Sequence, residues 1–227
     1  MTIDDNNKDS ASATRARFDS RESALKYAGA LDDTATHRRE IHCIQRCLTD
    51  VPVGARVLDL PCGTGRLVPF LTAAGYRVFA ADSSAHMIER AKALAERQKC
   101  TNEIEFGIED IMSTSFSDGS FDAVVCNRLF HHFFESDVRI RALRELRRIS
   151  RGPVIMSFFC SRSLSSAAFL LKNSFRRLPA TDRVPISFRA ISADIAAAGL
   201  QVDMKMATKP LLGKQWYLRL SSIKTGK

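Results

Sequence analysis

The chain has 227 residues, 45% of them hydrophobic and 26% charged, with a formal net charge of +9. That balance excludes a collagen-like or wholly disordered chain and predicts one globular domain. No stretch approaches the roughly 18 apolar residues that cross a bilayer, and Met1 to Ser12 is polar, with Asp4, Asp5 and Asp9 and no apolar core of a signal peptide, so a cytoplasmic protein is expected. The excess positive charge attracts anionic partners such as nucleic acid, phosphorylated small molecules or an acidic membrane surface, without choosing among them.

Residues 1–14 carry almost no large apolar side chains and read as a disordered tail. Helical spacing runs from Arg15 to Thr49, with Ile41, Ile44 and Leu48 on one stripe, and stops at Val51-Pro52-Val53-Gly54. An alternation follows. Strands are predicted at Arg56 to Leu60, Tyr76 to Ala81, Ile104 to Phe106, Phe121 to Cys126 and Val154 to Phe159. Between them lie helices at Arg66 to Ala74, from a Ser83 or Ser84 cap to Arg97, and at Asp137 to Ile149. Unbroken apolar strands alternating with helices predict an α/β fold, Rossmann-like and doubly wound, with a mostly parallel sheet. Near the end, Ser192 to Ala198 reads as a helix, and Leu200 to Met206 and Trp216 to Ser221 as strands. The link between those strands is too short for a crossover helix, so the C-terminal strand pair should be antiparallel. The whole of 15–227 is expected to be one domain.

The six cysteines form no Cys-x-x-Cys pair, so no zinc ribbon or thioredoxin motif is written here. Cys43 and Cys47 share a helical face beside His42; buried thiols are expected there rather than metal ligands.

The strongest signal is Val57-Leu58-Asp59-Leu60-Pro61-Cys62-Gly63-Thr64-Gly65. It is a strand, an acid at its tip, a glycine turn and a helix start. Gly63 and Gly65 let backbone approach a ligand. The dinucleotide pattern fails at its third glycine, where Val68 stands, and no Gly-Lys-Ser/Thr follows for a P-loop. Asp82, 23 residues beyond Asp59, ends the second strand, where an acid can accept from both ribose hydroxyls; a helix N-cap is its structural alternative.

These features resemble the class I S-adenosylmethionine-dependent methyltransferases, and within them the ubiquinone/menaquinone C-methyltransferase-like group, over about Arg56 to Phe159. The resemblance implies S-adenosylmethionine as cofactor. Asp59, Gly63 and Gly65 match the loop that holds its methionine part, with Pro61 in place of the usual first glycine. Asp82 matches the ribose acid. Ser83 and Met87, in the segment resembling Ser-x-x-Met-x-x-x-Ala from Ser84 to Ala91, would lie near the adenine. Asp110 would face the adenine amino group and Ile111 pack on the ring. Asn127 follows the fourth strand at its tip, and Leu129-Phe130-His131-His132-Phe133 resembles the border of the acceptor pocket. Tyr27, within an N-terminal helical part (15–50) that closes over the cofactor in this family, would be a lid residue.

His132, or His131, is the candidate base for an acceptor hydroxyl; packing on the sheet is the alternative. From Arg162 to Arg189 six basic residues face Asp182 alone, so 161–190 is expected to form an acceptor-side insertion that binds negative charge, a membrane surface or a protein partner. The expected function is methyl transfer to an anionic or membrane-proximal small-molecule, glycan or lipid acceptor. Nucleic acid is the weaker partner: no RNA-binding module is appended, and Cys126-Asn127-Arg128-Leu129 stands where an Asn/Asp-Pro-Pro-Tyr tetrad would mark an RNA methyltransferase. A cofactor-binding regulatory or scaffold protein without turnover is the other alternative.

Overall fold

A computed structural model describes residues 9–20, 22, 35–100, 103–161, 183–209 and 213–223. Seven strands form one sheet: β1 (Arg56–Asp59), β2 (Arg77–Asp82), β3 (Ile104–Ile108), β4 (Ala123–Cys126), β5 (Val154–Phe159), β6 (Leu200–Ala207) and β7 (Gln215–Ser222). Their order is β3-β2-β1-β4-β5-β7-β6. All pairs are parallel except those of β7, which runs antiparallel to both β5 and β6. The mostly parallel, doubly wound sheet expected from the alternation is present. The chain leaves β1 toward β2 and β3, then returns to build β4 and β5 on the other side. The carboxyl ends of β1 and β4 therefore flank a topological switch point, where open α/β sheets bind ligands.

Among the described residues the helices are α1 (Ser10–Phe18), α2 (Ala35–Cys47), α3 (Val68–Ala73), α4 (Ala85–Arg97), α5 (Ser136–Ile149) and α6 (Phe188–Ala197), with a 3₁₀ turn at Phe130–His132. One side of the sheet packs Leu58, Val124, Met156 and Leu218 with Leu143 and Leu146 of α5 and Ile191 and Ile195 of α6. The other packs Val57, Val125, Ile155 and Tyr217 with Ile44 of α2, Leu71, and Ile88 and Ala91 of α4. Alternating strand residues thus feed two cores, which is why the strands read as unbroken apolar runs.

Two expectations need correction. The tail expected through residue 14 is helical from Ser10: Asp9 caps α1 by accepting from Ser12 N, Thr14 Oγ1 bonds Ser10 O at 2.6 Å, and Ser10 is tied to Glu135 through both its backbone N and its hydroxyl. Polar bonds hold α1, so an apolar stripe could not reveal it. The helix expected to begin at Ser192 begins at Phe188, because the Ser187 side chain caps it by accepting from Ala190 N at 3.1 Å. Of the 15–50 segment expected to form a lid, residues 21 and 23–34 lie outside the described residues. Among its described residues, α2 packs flat on the sheet through buried Cys43, Ile44 and Cys47, and only α1 crosses the carboxyl ends of the strands.

Burial pushes the Cys43 and Cys47 thiols up to about 11.

Candidate active site

A cleft opens at the switch point. Its floor is the loop after β1, one wall is β2, the start of α4 and residues 109–111, and the opposite wall is the segment 127–133 with Arg183; α1 covers it with Ala11, Thr14, Arg15 and Phe18.

Asp82, 6% exposed, ends β2. Its Oδ2 accepts from Gly63 N at 2.9 Å and its Oδ1 from Ser84 N at 3.0 Å. The acid therefore shapes the glycine loop and leaves further lone pairs toward the cleft. Ser84, not Asp82, is the N-cap of α4. Burial raises the Asp82 carboxyl, the N–H groups of Ser84 and Gly63 oppose that, and Asp19 adds to it. Gly63 has φ +53, and a Cβ there would meet nothing within 4 Å, so the loop presents bare backbone to the cleft. Gly65 behaves differently. A Cβ on it would stand 2.9 Å from Ala91 Cα; this glycine, read as a cofactor contact, sits against α4 and is not among the residues lining the cleft. Pro61, after a cis peptide bond, does line it.

Asp59 is 1% exposed, and neither of its carboxylate oxygens has a hydrogen-bond partner among the described residues. Burial pushes its carboxyl well above the usual range, the charge of Asp82 adds to this, and Arg66 partly offsets it. The folded chain thus holds a proton that the unfolded chain releases near pH 4, so stability falls as pH rises from there through the folded pKa. Asp59→Asn removes that loss: the ligand-free protein should unfold at higher urea than the parent at pH 7, with the difference shrinking toward pH 4. Equal urea midpoints across that range would show that Asp59 carries no such cost.

Ser83, Met87, Asp110, Ile111 and Asn127 all line the cleft. Asp110 is already engaged: its Oδ2 takes Arg15 Nη1 at 2.7 Å and its Oδ1 takes Met112 N at 3.0 Å. Arg15 ties α1 to the wall in this way. Tyr27 lies outside the described residues, as does the basic segment over 162–182. Of that segment, Arg183 reaches the cleft and Val184 N bonds His131 O at 2.8 Å.

Asn127 is held by a directed network. Tyr217 Oη accepts from Gln215 Nε2 at 3.0 Å and donates to Asn127 Oδ1 at 2.8 Å. Ser157 Oγ accepts from Arg128 N at 2.8 Å and donates to the same Oδ1 at 3.1 Å. Both hydroxyls receive an N–H, so both protons point to Oδ1, which leaves the amide NH₂ as the group Asn127 can offer elsewhere. Tyr217→Phe strands the buried Gln215 amide. It should lower stability by about 1–3 kcal/mol, measured by urea unfolding; an unchanged midpoint would mean that the Gln215 amide finds another acceptor.

His131 and His132 are buried side by side, ring centroids 4.3 Å apart. His131 stacks on Phe159 at 3.8 Å and 6°, and Phe18 of α1 meets His132 edge-on at 5.4 Å. His131 Nδ1 is buried without a hydrogen-bond partner among the described residues. Burial, then the nearby His132, Arg128, Arg183 and Lys214, hold its pKa well below the ordinary histidine value.

One charge cluster escaped the sequence reading. Glu40 of α2 is fully buried and binds Arg66 Nη2 at 3.1 Å and Arg128 Nη1 at 3.3 Å. Burial alone would raise its carboxyl, but His37, Arg128 and Arg66 together hold it below the usual range.

Residues 57–152 match the family described as a methyltransferase domain. The demethylmenaquinone methyltransferase of Thermus thermophilus is 30% identical over 175 residues, covering 67% of this chain and 77% of that protein. The chain belongs to the class I S-adenosylmethionine-dependent methyltransferases. A second relative, YqeM of Bacillus subtilis, described as a putative methyltransferase, is 26% identical over 151 residues, covering 66% of this chain; the chain spans 60% of its length. The magnesium protoporphyrin IX methyltransferase of Synechocystis, crystallised with bound S-adenosylhomocysteine, shares the fold with a TM-score of 0.73 at 17% identity, covering 93% of this chain and 99% of that chain.

Proposed function

We propose that the cleft binds S-adenosylmethionine and that the protein transfers its methyl group to an anionic acceptor, a small molecule or the head of a glycan or lipid. The observation that carries this is the pairing of two walls. Buried acids at the tips of neighbouring strands, Asp59 and Asp82, face a wall that presents two histidines with Arg128 and Arg183.

The residues fit the cofactor. Asp82 has lone pairs for ribose hydroxyls, the bare backbone of Gly63 admits close approach, and Met87 and Ile111 offer apolar sides to a planar base. Asp59 brings to the cleft two carboxyl oxygens that no described residue bonds. When bound, the cofactor supplies an electrophilic methyl group on a sulfonium. What the protein adds is alignment, which is worth up to roughly 7–11 kcal/mol when the reacting atoms are held for attack. Phe18, Leu129 and Phe133 exclude water. Arg15, Arg128 and Arg183 favour an acceptor that enters with negative charge. Burial, with His132 and nearby cations adding to it, holds the His131 pKa well below the ordinary histidine value, so His132 is the candidate to take a proton from a neutral acceptor.

Calorimetry with S-adenosylhomocysteine tests the first half: saturable one-site binding is expected, and none would sink the reading. Incubation of cell fractions with cofactor carrying a labelled methyl group then finds the acceptor. With that acceptor in hand, His132→Ala should lower turnover by about 10²–10⁴-fold while cofactor affinity stays within a few-fold. Normal turnover would make His132 a packing residue.

A further inference from the structure

Asn127 follows β4 directly and lines the cleft. A backbone group decides which end of its amide faces a ligand. Arg128 N can only donate, and it donates to Ser157 Oγ at 2.8 Å. Ser157 is fully buried, and its own proton has Asn127 Oδ1, 3.1 Å away, as its acceptor. With Oδ1 fixed as an acceptor, the Tyr217 hydroxyl at 2.8 Å donates to it as well. Two hydroxyls thus hold the amide oxygen inward, and the NH₂ is kept for the cleft.

The rest of that wall has the same polarity. Residues 127–133 contain no carboxylate, and Arg128 and Arg183 bring guanidinium donors. Glu40, which holds Arg128, does not line the cleft. Among the described residues the acids that do, Asp59, Asp82, Glu109 and Asp110, belong to the floor and the opposite wall. An amine is poorly served by such a wall. It enters as an ammonium, which the two guanidiniums repel, and once neutral its N–H groups still need acceptors. An oxygen acid is well served: its lone pairs meet N–H donors, and the positive charge favours its ionised form.

We propose that Asn127 is a specificity-determining residue that donates to the reacting atom of the acceptor, and that this atom is the oxygen of an acid, either a phenolic or enolic hydroxyl or a carboxyl group, and not an amine nitrogen. This rests on the methyl-transfer reading above and names the atom that reading leaves open. A hydroxyl gives its proton to His132; a carboxylate enters without one. One lone pair of the oxygen takes the Asn127 N–H, and another forms the bond to the methyl carbon. The carbon–sulfur bond breaks, its electron pair stays on sulfur, and the negative oxygen and positive sulfonium cancel. The amide holds the oxygen in line for this attack.

The probe is S-adenosylmethionine with a labelled methyl group, incubated with the parent and cell fractions. Hydriodic acid frees an O-bound methyl as volatile methyl iodide and leaves N- and C-bound methyl in place. Volatile label is expected. Alkali frees it only from an ester, which separates a carboxyl acceptor from a hydroxyl one. An N- or C-methyl product overturns the proposal and leaves the cofactor reading standing. Asn127→Asp then tests the residue. It keeps its shape and an oxygen for Ser157 and Tyr217, but offers an acceptor where the donor was. Its kcat/KM for the labelled acceptor should fall by about tenfold or more, while S-adenosylhomocysteine affinity stays within about threefold. Unchanged turnover overturns the assignment, and so does a matching loss of S-adenosylhomocysteine, which would place the amide on the cofactor. If the variant does not fold, the product chemistry of the parent decides alone. A parent that binds S-adenosylhomocysteine but labels nothing refutes methyl transfer, and this inference with it.

Discussion

Asp82→Ala should weaken S-adenosylhomocysteine binding by about 100-fold or more. Two contributions add. Hydrogen bonds from ligand hydroxyls to a buried carboxylate are worth about 1.5–3 kcal/mol each. The substitution also removes the acceptors of Gly63 N and Ser84 N, so the loop that approaches the ligand loses the side chain that shapes it. Calorimetry at neutral pH measures the change, and circular dichroism shows whether the sheet survives. Affinity within a few-fold of the parent would place the ribose elsewhere.

Arg139→Ala should destabilise the fold by about 3–5 kcal/mol, the cost of leaving a buried charge without its partner. Arg139 is 6% and Asp194 3% exposed. Arg139 Nε meets Asp194 Oδ2 at 2.6 Å, joining α5 to α6, and its Nη1 reaches the carbonyls of Phe133 and Phe134 at 3.0 and 2.7 Å. Those carbonyls follow His131 and His132 directly, so the same guanidinium steadies the acceptor wall. Urea unfolding measures the loss. Replacing both partners, Arg139→Met with Asp194→Leu, should recover much of it, since apolar groups of similar size need no pairing. A loss below about 1 kcal/mol in the single variant would show that water reaches Asp194 readily.

Much of the frame was legible because its causes are local. The run from Val57 to Gly65 carries strand, acid and turn within nine residues, and the Ser84 cap and Gly75 stop lie beside the helices they bound. Asp59 and Asp82 could be found because each ends a strand. Glu40 could not. On an amphipathic helix a glutamate reads as solvent-facing, and its burial follows only from arginines 26 and 88 residues away. The packing constraint on Gly65 was hidden for a similar reason: it comes from Ala91 of α4, a contact made by tertiary packing. The first part of α1, Ser10 to Thr14, was missed because the partner that holds Ser10, Glu135, lies 125 residues downstream.

The placement of β7 has a consequence for how the molecule comes together. Among the described residues β6 pairs only with β7, and β7 lies between it and β5. During synthesis β6 therefore emerges before the strand that will hold it, and the edge of β5 waits open for the same segment. Tyr217, which fixes Asn127, and Gln215 behind it travel on that strand. A nascent chain can assemble β1 to β5 with the glycine loop and the Ser157 bond to Asn127 in place, yet the Tyr217 half of that network forms only when the seventh strand slides in. Cofactor added to refolding protein should accordingly accelerate the final docking step rather than the early collapse, and pulse-labelled amides of β7 should gain protection last.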